Sequence, residues 1–347
     1  MTLYETEVVV VGGGPIGLAS AIEAREAGLD VVVVEPRDGV IDKACGEGLM
    51  PGAVPALQRL GVAPAGASLR GVAYRDERGA ASHLFAGGPA LGVRRTTLHA
   101  ALLERAEKVG VRRLTARVVG VEERGEHVTA LTTGARVRGE WMLACDGLHS
   151  TVARVLGLHR PSRERGRRYG QRQHFAIKPW SDLIEVHWTR DAELYVTPTA
   201  DGMVGIAALT RRGVRFGEAL AACPELAARV SRAPRATPVI GAGPFRQATT
   251  ARTHGRVLLV GDASGYVDAL TGEGLRTGFA QAEAAVAAVR LGDAQEYEGR
   301  WRQITRDFRW LTRATVALAN SPARSRVVPI ARVAPRLFDA AVERLAR

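Results

Sequence analysis

Lysine is almost missing from this chain. Lys43, Lys108 and Lys178 are the only three, so arginine carries nearly all the basic charge behind a net +12. Aromatic residues are sparse as well, at 5%. No basic module interleaved with aromatics accompanies the charge, which argues against a nucleic-acid partner. A basic surface that attracts acidic cofactors or anionic lipid headgroups is the better reading. Cysteine occurs only at Cys45, Cys145 and Cys223. An odd number at wide spacing suggests neither a disulfide framework nor a zinc site, and the expected location is a reducing cytoplasm. No apolar run reaches the length of a membrane span, and the first strand begins too near Met1 for a signal peptide. No histidine cluster suggests a metal, and no local serine–histidine–aspartate signature suggests a hydrolase. There is no internal repeat or low-complexity tract. At 347 residues, the chain can bury a large core shared by two or three subregions.

What the chain does have is concentrated at its start. Val8-Val9-Val10-Val11 reads as a buried parallel strand, apolar on both sides because helices are expected to cover both faces. It runs into Gly12-x-Gly14-Pro15-x-Gly17 and then an alanine-rich helix. Gly12 serves the tight turn, Gly14 the close approach of a pyrophosphate, and Gly17 the close packing of helix on strand. The helix N-terminus offers free N–H groups and partial positive charge to that diphosphate. A second valine strand, 31–34, ends in Glu35, where a carboxylate suits a ribose 2′-hydroxyl and repels a 2′-phosphate. An ADP-containing dinucleotide is the implied ligand, with NAD and FAD both open on these residues alone. Pro36-Arg37-Asp38-Gly39 makes the following turn.

Further along, 42–52 reads as a polar, glycine-rich loop in which Gly46 and Gly48 flank Glu47, as expected where backbone passes a flat ligand. Cys45 has two readings, a packed small residue or a reactive thiol beside Lys43. A short helix is expected at 54–60 and a hairpin at 69–85, around Asp76-Glu77-Arg78-Gly79. The helix at 98–110 is entered through Arg94-Arg95-Thr96-Thr97, with Thr96 or Thr97 as its cap. The two arginines read equally as phosphate or flavin-edge contacts and as a solvated pair. Strands are expected at 111–122 and 128–132. A buried strand from Trp141 ends in Asp146-Gly147, at the carboxyl end where open α/β sheets bind ligands. Residues 160–172, rich in arginine, read as a solvated loop. Segments 175–186, 194–197 and 203–209 read as antiparallel strands, and 216–232 as a helix with Cys223 structural. A last buried strand reaches Gly261-Asp262, followed by Thr271-Gly272-Glu273-Gly274 and a helix over 276–291. The tail from Trp301 reads as helical, and packing onto the body and an interfacial role are both open.

Gly12-x-Gly14-x-x-Gly17 with Glu35, Asp146-Gly147 and Gly261-Asp262, taken together over roughly residues 5–290, resemble two related groups. These are the flavoprotein monooxygenases of the para-hydroxybenzoate hydroxylase fold and the geranylgeranyl reductases. The resemblance implies an α/β fold: a Rossmann-like FAD-binding domain with an interleaved antiparallel β-sheet substrate domain and a C-terminal helical tail. The expected division is 1–68, 95–160 and 250–300 for FAD, 69–94 and 161–249 for the substrate sheet, and 301–347 for the tail. It implies FAD as resident cofactor and NADPH or NADH as reductant. Gly12, Gly14, Pro15 and Gly17 would take the pyrophosphate, Glu35 with the neighbouring Arg37 the adenosine ribose, and Arg95 a phosphate or the flavin edge. Asp146-Gly147 would lie near the pyrophosphate, Gly261-Asp262 at the ribityl chain or diphosphate, and Gly272-Glu273-Gly274 would set N–H groups beside the isoalloxazine.

Lys43-Ala44-Cys45-Gly46 and Gly261-Asp262-Ala263-Ser264-Gly265 look most like the reductases, whereas Arg94-Arg95-Thr96-Thr97-Leu98 and Asp146-Gly147-Leu148-His149-Ser150 look more like the hydroxylases. Asp268-Ala269-Leu270 stands where the reductases usually carry proline, and Gly265 where hydroxylases commonly carry histidine. The resemblance thus implies hydroxylation of an aromatic or lipophilic small molecule, slightly ahead of reduction of prenyl double bonds with Cys45 as proton donor. A non-catalytic flavin-binding partner protein is the third reading. Peripheral membrane contact through the basic tail is a further expectation.

Overall fold

The computed structural model describes residues 2–161, 167–270 and 272–346. At its centre is a six-stranded sheet in the spatial order Thr253–His254, Val257–Leu259, Trp141–Ala144, Val8–Val11, Val31–Glu35, Arg112–Thr115. All its pairs are parallel except the antiparallel Thr253–His254 edge. Strand alternation splits the valines between two cores. Val8, Val10, Val31 and Val33 pack under the helices Pro15–Glu26, Arg95–Lys108 and Gly274–Leu291. Val9, Val11, Val32 and Val34 face the other way. That second face is covered by a four-stranded sheet, Thr2–Glu5, Ala135–Gly139, His127–Thr132 and Val118–Arg124, with the short helix Thr151–Val155. The expectation of helices on both faces is corrected here. The valine pattern requires two apolar covers and does not specify what they are made of.

A seven-stranded sheet forms the second layer system, ordered Ile240–Ala242, Arg168–Phe175, Val204–Arg211, Ala192–Pro198, Leu183–Trp188, Gly71–Asp76, Gly79–Leu84. It joins chain segments about a hundred residues apart. It is antiparallel except for the parallel pairing of Leu183–Trp188 with Gly71–Asp76. One face packs against the helices Phe216–Ala221 and Pro224–Val230; the other turns toward the central sheet and the tail. The tail consists of Ala294–Ala319, Val327–Val333 and Pro335–Ala346.

Several local expectations differ from what forms. The single helix over 216–232 is two, because Pro224 has no N–H to continue the first and instead starts the second. The strand over 175–186 is interrupted between Phe175 and Leu183, around Lys178-Pro179. The third helix begins at Arg95, so Thr96 and Thr97 lie inside it and Arg94 occupies the cap position. Most informative is 160–172. Residues 162–166 lie outside the described residues, but Arg168 and Arg172 sit in a strand, 4% and 1% exposed.

Candidate functional site

The first glycine motif has the geometry its spacing suggested. Gly12 has φ +103°, and a Cβ there would lie 2.6 Å from the Cys145 carbonyl oxygen. A Cβ on Gly17 would lie 1.8 Å from the Gly12 carbonyl oxygen, so helix and strand touch backbone to backbone. Gly14 is different: a Cβ would meet nothing nearer than an Arg95 guanidinium nitrogen at 4.0 Å. Gly14 also precedes Pro15 as the helix N-cap, with no side chain closing the helix end. This open cradle beneath an uncapped helix suits an anion.

The cradle belongs to a cavity of about 650 Å³ lying between the central sheet and the seven-stranded sheet. Of the residues expected at a site, it brings together Gly12, Gly14, Pro15, Glu35, Arg37, Cys45, Arg95, Asp146, Gly147, Asp262, Gly272 and Gly274. Gly17, Gly261 and Glu273 do not line it. Gly17 is at the strand–helix contact. Gly261, with φ +67°, donates its N–H to the Gln281 side chain at 2.8 Å. The Glu273 carboxylate is 2% exposed and paired with Arg276, and burial raises its pKa despite that partner. Thr271 lies outside the described residues.

Three charged groups set the electrostatics of the dinucleotide end. Glu35 accepts from the Gly13 N–H at 2.8 Å and from Arg37 Nε at 2.7 Å. Burial opposes its charge, but the bonds from Arg37 and Gly13 outweigh it and hold its pKa below the ordinary carboxylate value. Asp146 Oδ2 accepts from the N–H groups of Thr151 (2.7 Å) and Val152 (3.1 Å), while buried Oδ1 has no partner among the described residues. Burial raises the Asp146 pKa. Arg95 is buried enough that its pKa is lowered, and its Nε is likewise unpartnered. Two orphaned buried polar atoms and an open glycine cradle on one cavity wall fit a bound diphosphate–ribose group.

Cys45 lines the same cavity. Burial pushes its thiol pKa up, against the nearby Arg95 charge. Beyond it the wall is apolar, including Val72, Ile184, Val186, Leu209 and Phe245, with Val342 and Leu345 contributed by the last helix. Tyr74, Tyr195 and Tyr266 line it too, and burial raises the phenol pKa of each, that of Tyr74 to about 12.

Sequence reasoning passed over the support behind Cys45. Glu47 has φ +62°, a left-handed conformation that costs a non-glycine residue about 1–3 kcal/mol unless its surroundings hold it. Its carbonyl accepts from the Val93 N–H (2.8 Å) and its Oε1 from the Arg95 N–H (3.0 Å). Oε2 lies 2.7 Å from His174 Nε2, and Arg172 bridges His174 Nδ1 (2.9 Å) to Asp42. Since Arg172 donates to Nδ1, the His174 proton sits on Nε2 and points at Glu47. The flanking glycines were the available signal for Glu47; nothing local marked Arg172 or His174.

Among the described residues no histidine, cysteine and carboxylate group could hold a metal ion, and no helix is long and apolar enough to cross a membrane. Residues 5–215 match the family described as FAD binding domain. The chain is 31% identical to the menaquinone reductase of Mycolicibacterium smegmatis, over 85% of this chain and 79% of that protein. It is 30% identical to digeranylgeranylglycerophospholipid reductase 1 of Methanopyrus kandleri, over 87% and 88%. The crystal structure of p-nitrophenol 4-monooxygenase from Pseudomonas putida superposes with a TM-score of 0.82 at 22% identity, covering 100% of this chain and 99% of that one. The chain is an enzyme of the FAD-binding oxidoreductase family, with FAD as its cofactor.

Proposed function

We propose that this enzyme reduces carbon–carbon double bonds in an isoprenoid substrate, with Cys45 as proton donor. The observation that carries the reading is the Cys45 thiol. It lines an apolar cavity, and burial raises its pKa so that it keeps its proton at neutral pH. Reduction of an isolated alkene needs a proton as well as a hydride, and a protonated thiol at the substrate supplies it. Bound FAD, reduced by NADPH or NADH, would supply the hydride. Gly12, Gly14, Pro15 and Gly17 shape the pyrophosphate cradle, with Arg95 beside it. Glu35, oriented by Arg37, takes the ribose. Asp146, Gly147 and Asp262 would close the diphosphate side, with Gly261 forming the turn before Asp262, and the Gly272–Gly274 backbone would lie toward the flavin ring. Glu273 acts there only through its backbone. The Ile184, Val186 and Leu209 wall accepts hydrocarbon and keeps water from the reacting carbons. Both similar reductases are named for substrates that carry isoprenoid chains.

The tail supports a cytoplasmic enzyme that meets its substrate at a membrane surface. Ile330, Val333 and Leu337 are exposed, Val333 at 87%, among Arg326, Arg332 and Arg336. The same tail contributes Val342 and Leu345 to the cavity.

Hydroxylation of an aromatic ring is the second reading. It is favoured by the aromatic end of the cavity, where Phe245 and Tyr266 pack edge to face at 5.8 Å and Tyr195 donates to the Leu270 carbonyl at 2.9 Å. One experiment separates the two. The holoenzyme is reduced with NADPH or NADH without oxygen and offered an isoprenoid alkene, and the product is weighed by mass spectrometry. A product heavier by two hydrogens supports the reductase. No anaerobic turnover, with a phenol gaining one oxygen atom once air is admitted, would sink it in favour of the hydroxylase.

A further inference from the structure

The cavity occupies one face of the seven-stranded sheet, and the opposite face holds a second group of reactive side chains. Strand alternation puts it there. Ile184 and Val186 of the Leu183–Trp188 strand line the cavity, so Glu185 and His187 point away, toward Phe216–Ala221 and Pro224–Val230. His187 Nδ1 lies 3.4 Å from Cys223 Sγ, and His187 Nε2 lies 3.0 Å from Glu185 Oε2. Glu185 is itself held on two sides. Trp180 Nε1 donates to Oε1 at 3.2 Å, and Arg75 from the neighbouring strand pairs with it at 3.4 Å. Glu185 and His187 are 3% and 5% exposed, whereas Cys223, at the break between the two short helices, is half-buried. A nucleophile, a base and a carboxylate that orients the base thus stand in order within bonding reach.

The chemistry of this group differs from that of the other two thiols. Burial opposes charge on His187, but Cys223 and Glu185 overcome it and raise its pKa to about 9, so the imidazole is protonated at neutral pH. The geometry sets the proton-bearing Nδ1 of that imidazole 3.4 Å from the Cys223 sulfur, within reach of an oxygen leaving it. Among the described residues neither Cys45 nor Cys145 bonds a histidine, and burial pushes both thiols upward, Cys145 to about 12. None of Cys223, His187 and Glu185 lines the cofactor cavity, so the group is separate from the reaction proposed above.

We propose that Cys223, paired with His187 and oriented by Glu185, is a peroxide-reactive thiolate that hydrogen peroxide converts to a sulfenic acid. The Cys223 sulfur attacks one peroxide oxygen: the S–O bond forms, the O–O bond breaks, and the sulfur loses the two electrons that the peroxide gains. The departing hydroxide takes the His187 proton and leaves as water, and the imidazole is left neutral. Peroxide is small and uncharged, which suits a sulfur half-covered by the Phe216 and Leu226 cluster.

The test uses the FAD-loaded enzyme. It is exposed to hydrogen peroxide near neutral pH with dimedone present, and the labelled cysteine is located by mass spectrometry. In parallel, iodoacetamide reports the thiolate without any oxidant. Dimedone on Cys223, with Cys45 and Cys145 unlabelled, is the expected result. Alkylation of Cys223 by iodoacetamide should outpace that of glutathione at pH 6.5 by about ten-fold. His187→Gln should slow both reactions by about ten-fold, and Glu185→Gln, which keeps an oxygen for Trp180, should slow them less. Cys223→Ser should abolish labelling while the bound flavin spectrum stays unchanged. Labelling at Cys45 instead, or a wild-type Cys223 no faster than glutathione, overturns the proposal without recourse to any variant.

Discussion

Arg172→Met tests the charge arrangement behind the cofactor loop. Arg172 is 1% exposed, and its neighbours Glu47 and His174 are equally buried. Its guanidinium bonds Asp42 and His174 and lies 3.7 Å from Glu47. Methionine fills much of the same volume, so the change removes charge rather than packing. It leaves the Glu47 carboxylate in the interior without a cation bonded to it, held by His174 and the Arg95 backbone N–H. Removing one partner from a buried ionic group costs about 3–5 kcal/mol, because the remaining charge stays desolvated and uncompensated. Removing both charges costs much less. Urea unfolding of the FAD-loaded protein should therefore show Arg172→Met less stable by about 3–5 kcal/mol, and Arg172→Met/Glu47→Gln should recover most of that loss. Glu47 also fixes the left-handed turn beside Cys45, so the single variant should expose Cys45 to iodoacetamide. A loss below about 1 kcal/mol, or a double variant no more stable than the single, would refute the idea that Arg172 neutralises Glu47.

Other substitutions probe the cradle, the thiol and the tail. Gly17→Ala drives a Cβ into the Gly12 carbonyl at 1.8 Å and should cost more than the about 1–3 kcal/mol typical of overpacking, read as a lowered melting temperature. Gly14→Ala meets nothing nearer than the Arg95 guanidinium at 4.0 Å, so it should melt normally without cofactor yet bind FAD more weakly in a flavin fluorescence titration; unchanged affinity would mean that the cradle is not the cofactor's. Cys45→Ser should keep the yellow colour and flavin reduction by nicotinamide, but lower alkene turnover by about 10²–10⁴-fold, as expected for loss of a general acid. His83 joins the Gly79–Leu84 strand to the last helix through Asp339 and Glu343, both at 2.8 Å. Burial lowers its pKa, but those carboxylates outweigh the effect and leave it raised, so their contribution is full below the unfolded value of about 6.5 and is lost as pH climbs through the folded one. Proteolysis within 335–346 should accelerate as pH rises above neutral, and His83→Gln should remove that pH dependence.

What the sequence discloses and what it hides follow from where each residue finds its partners. The dinucleotide cradle is legible because its parts interact locally: Gly12 and Gly17 are five positions apart and touch, and the alternating valines declare two buried faces. Glu35 is already harder, since it accepts from Gly13 across 22 positions, although a familiar strand–turn–helix–strand order places it. Past that range the local signal fails. The arginines between 160 and 172 look solvated because charge runs usually are, yet Arg172 reaches Asp42 across 130 positions and Arg168 reaches Asp268 across 100. Cys223 looks structural because His187 is 36 residues away, on a strand that turns Ile184 and Val186 to the cavity and Glu185 and His187 away from it. The same logic changes the meaning of the chain's basic excess. Arg324 in the tail pairs with Glu193 at 2.8 Å, Glu193 pairs with Arg168, and Arg168 lies 3.4 Å from Asp268 on the cavity wall. Part of the arginine content is therefore internal wiring that ties the C-terminal helices to the site. A guanidinium can bond several acceptors at once in a fixed plane while staying charged, which a lysine ammonium does less well when buried.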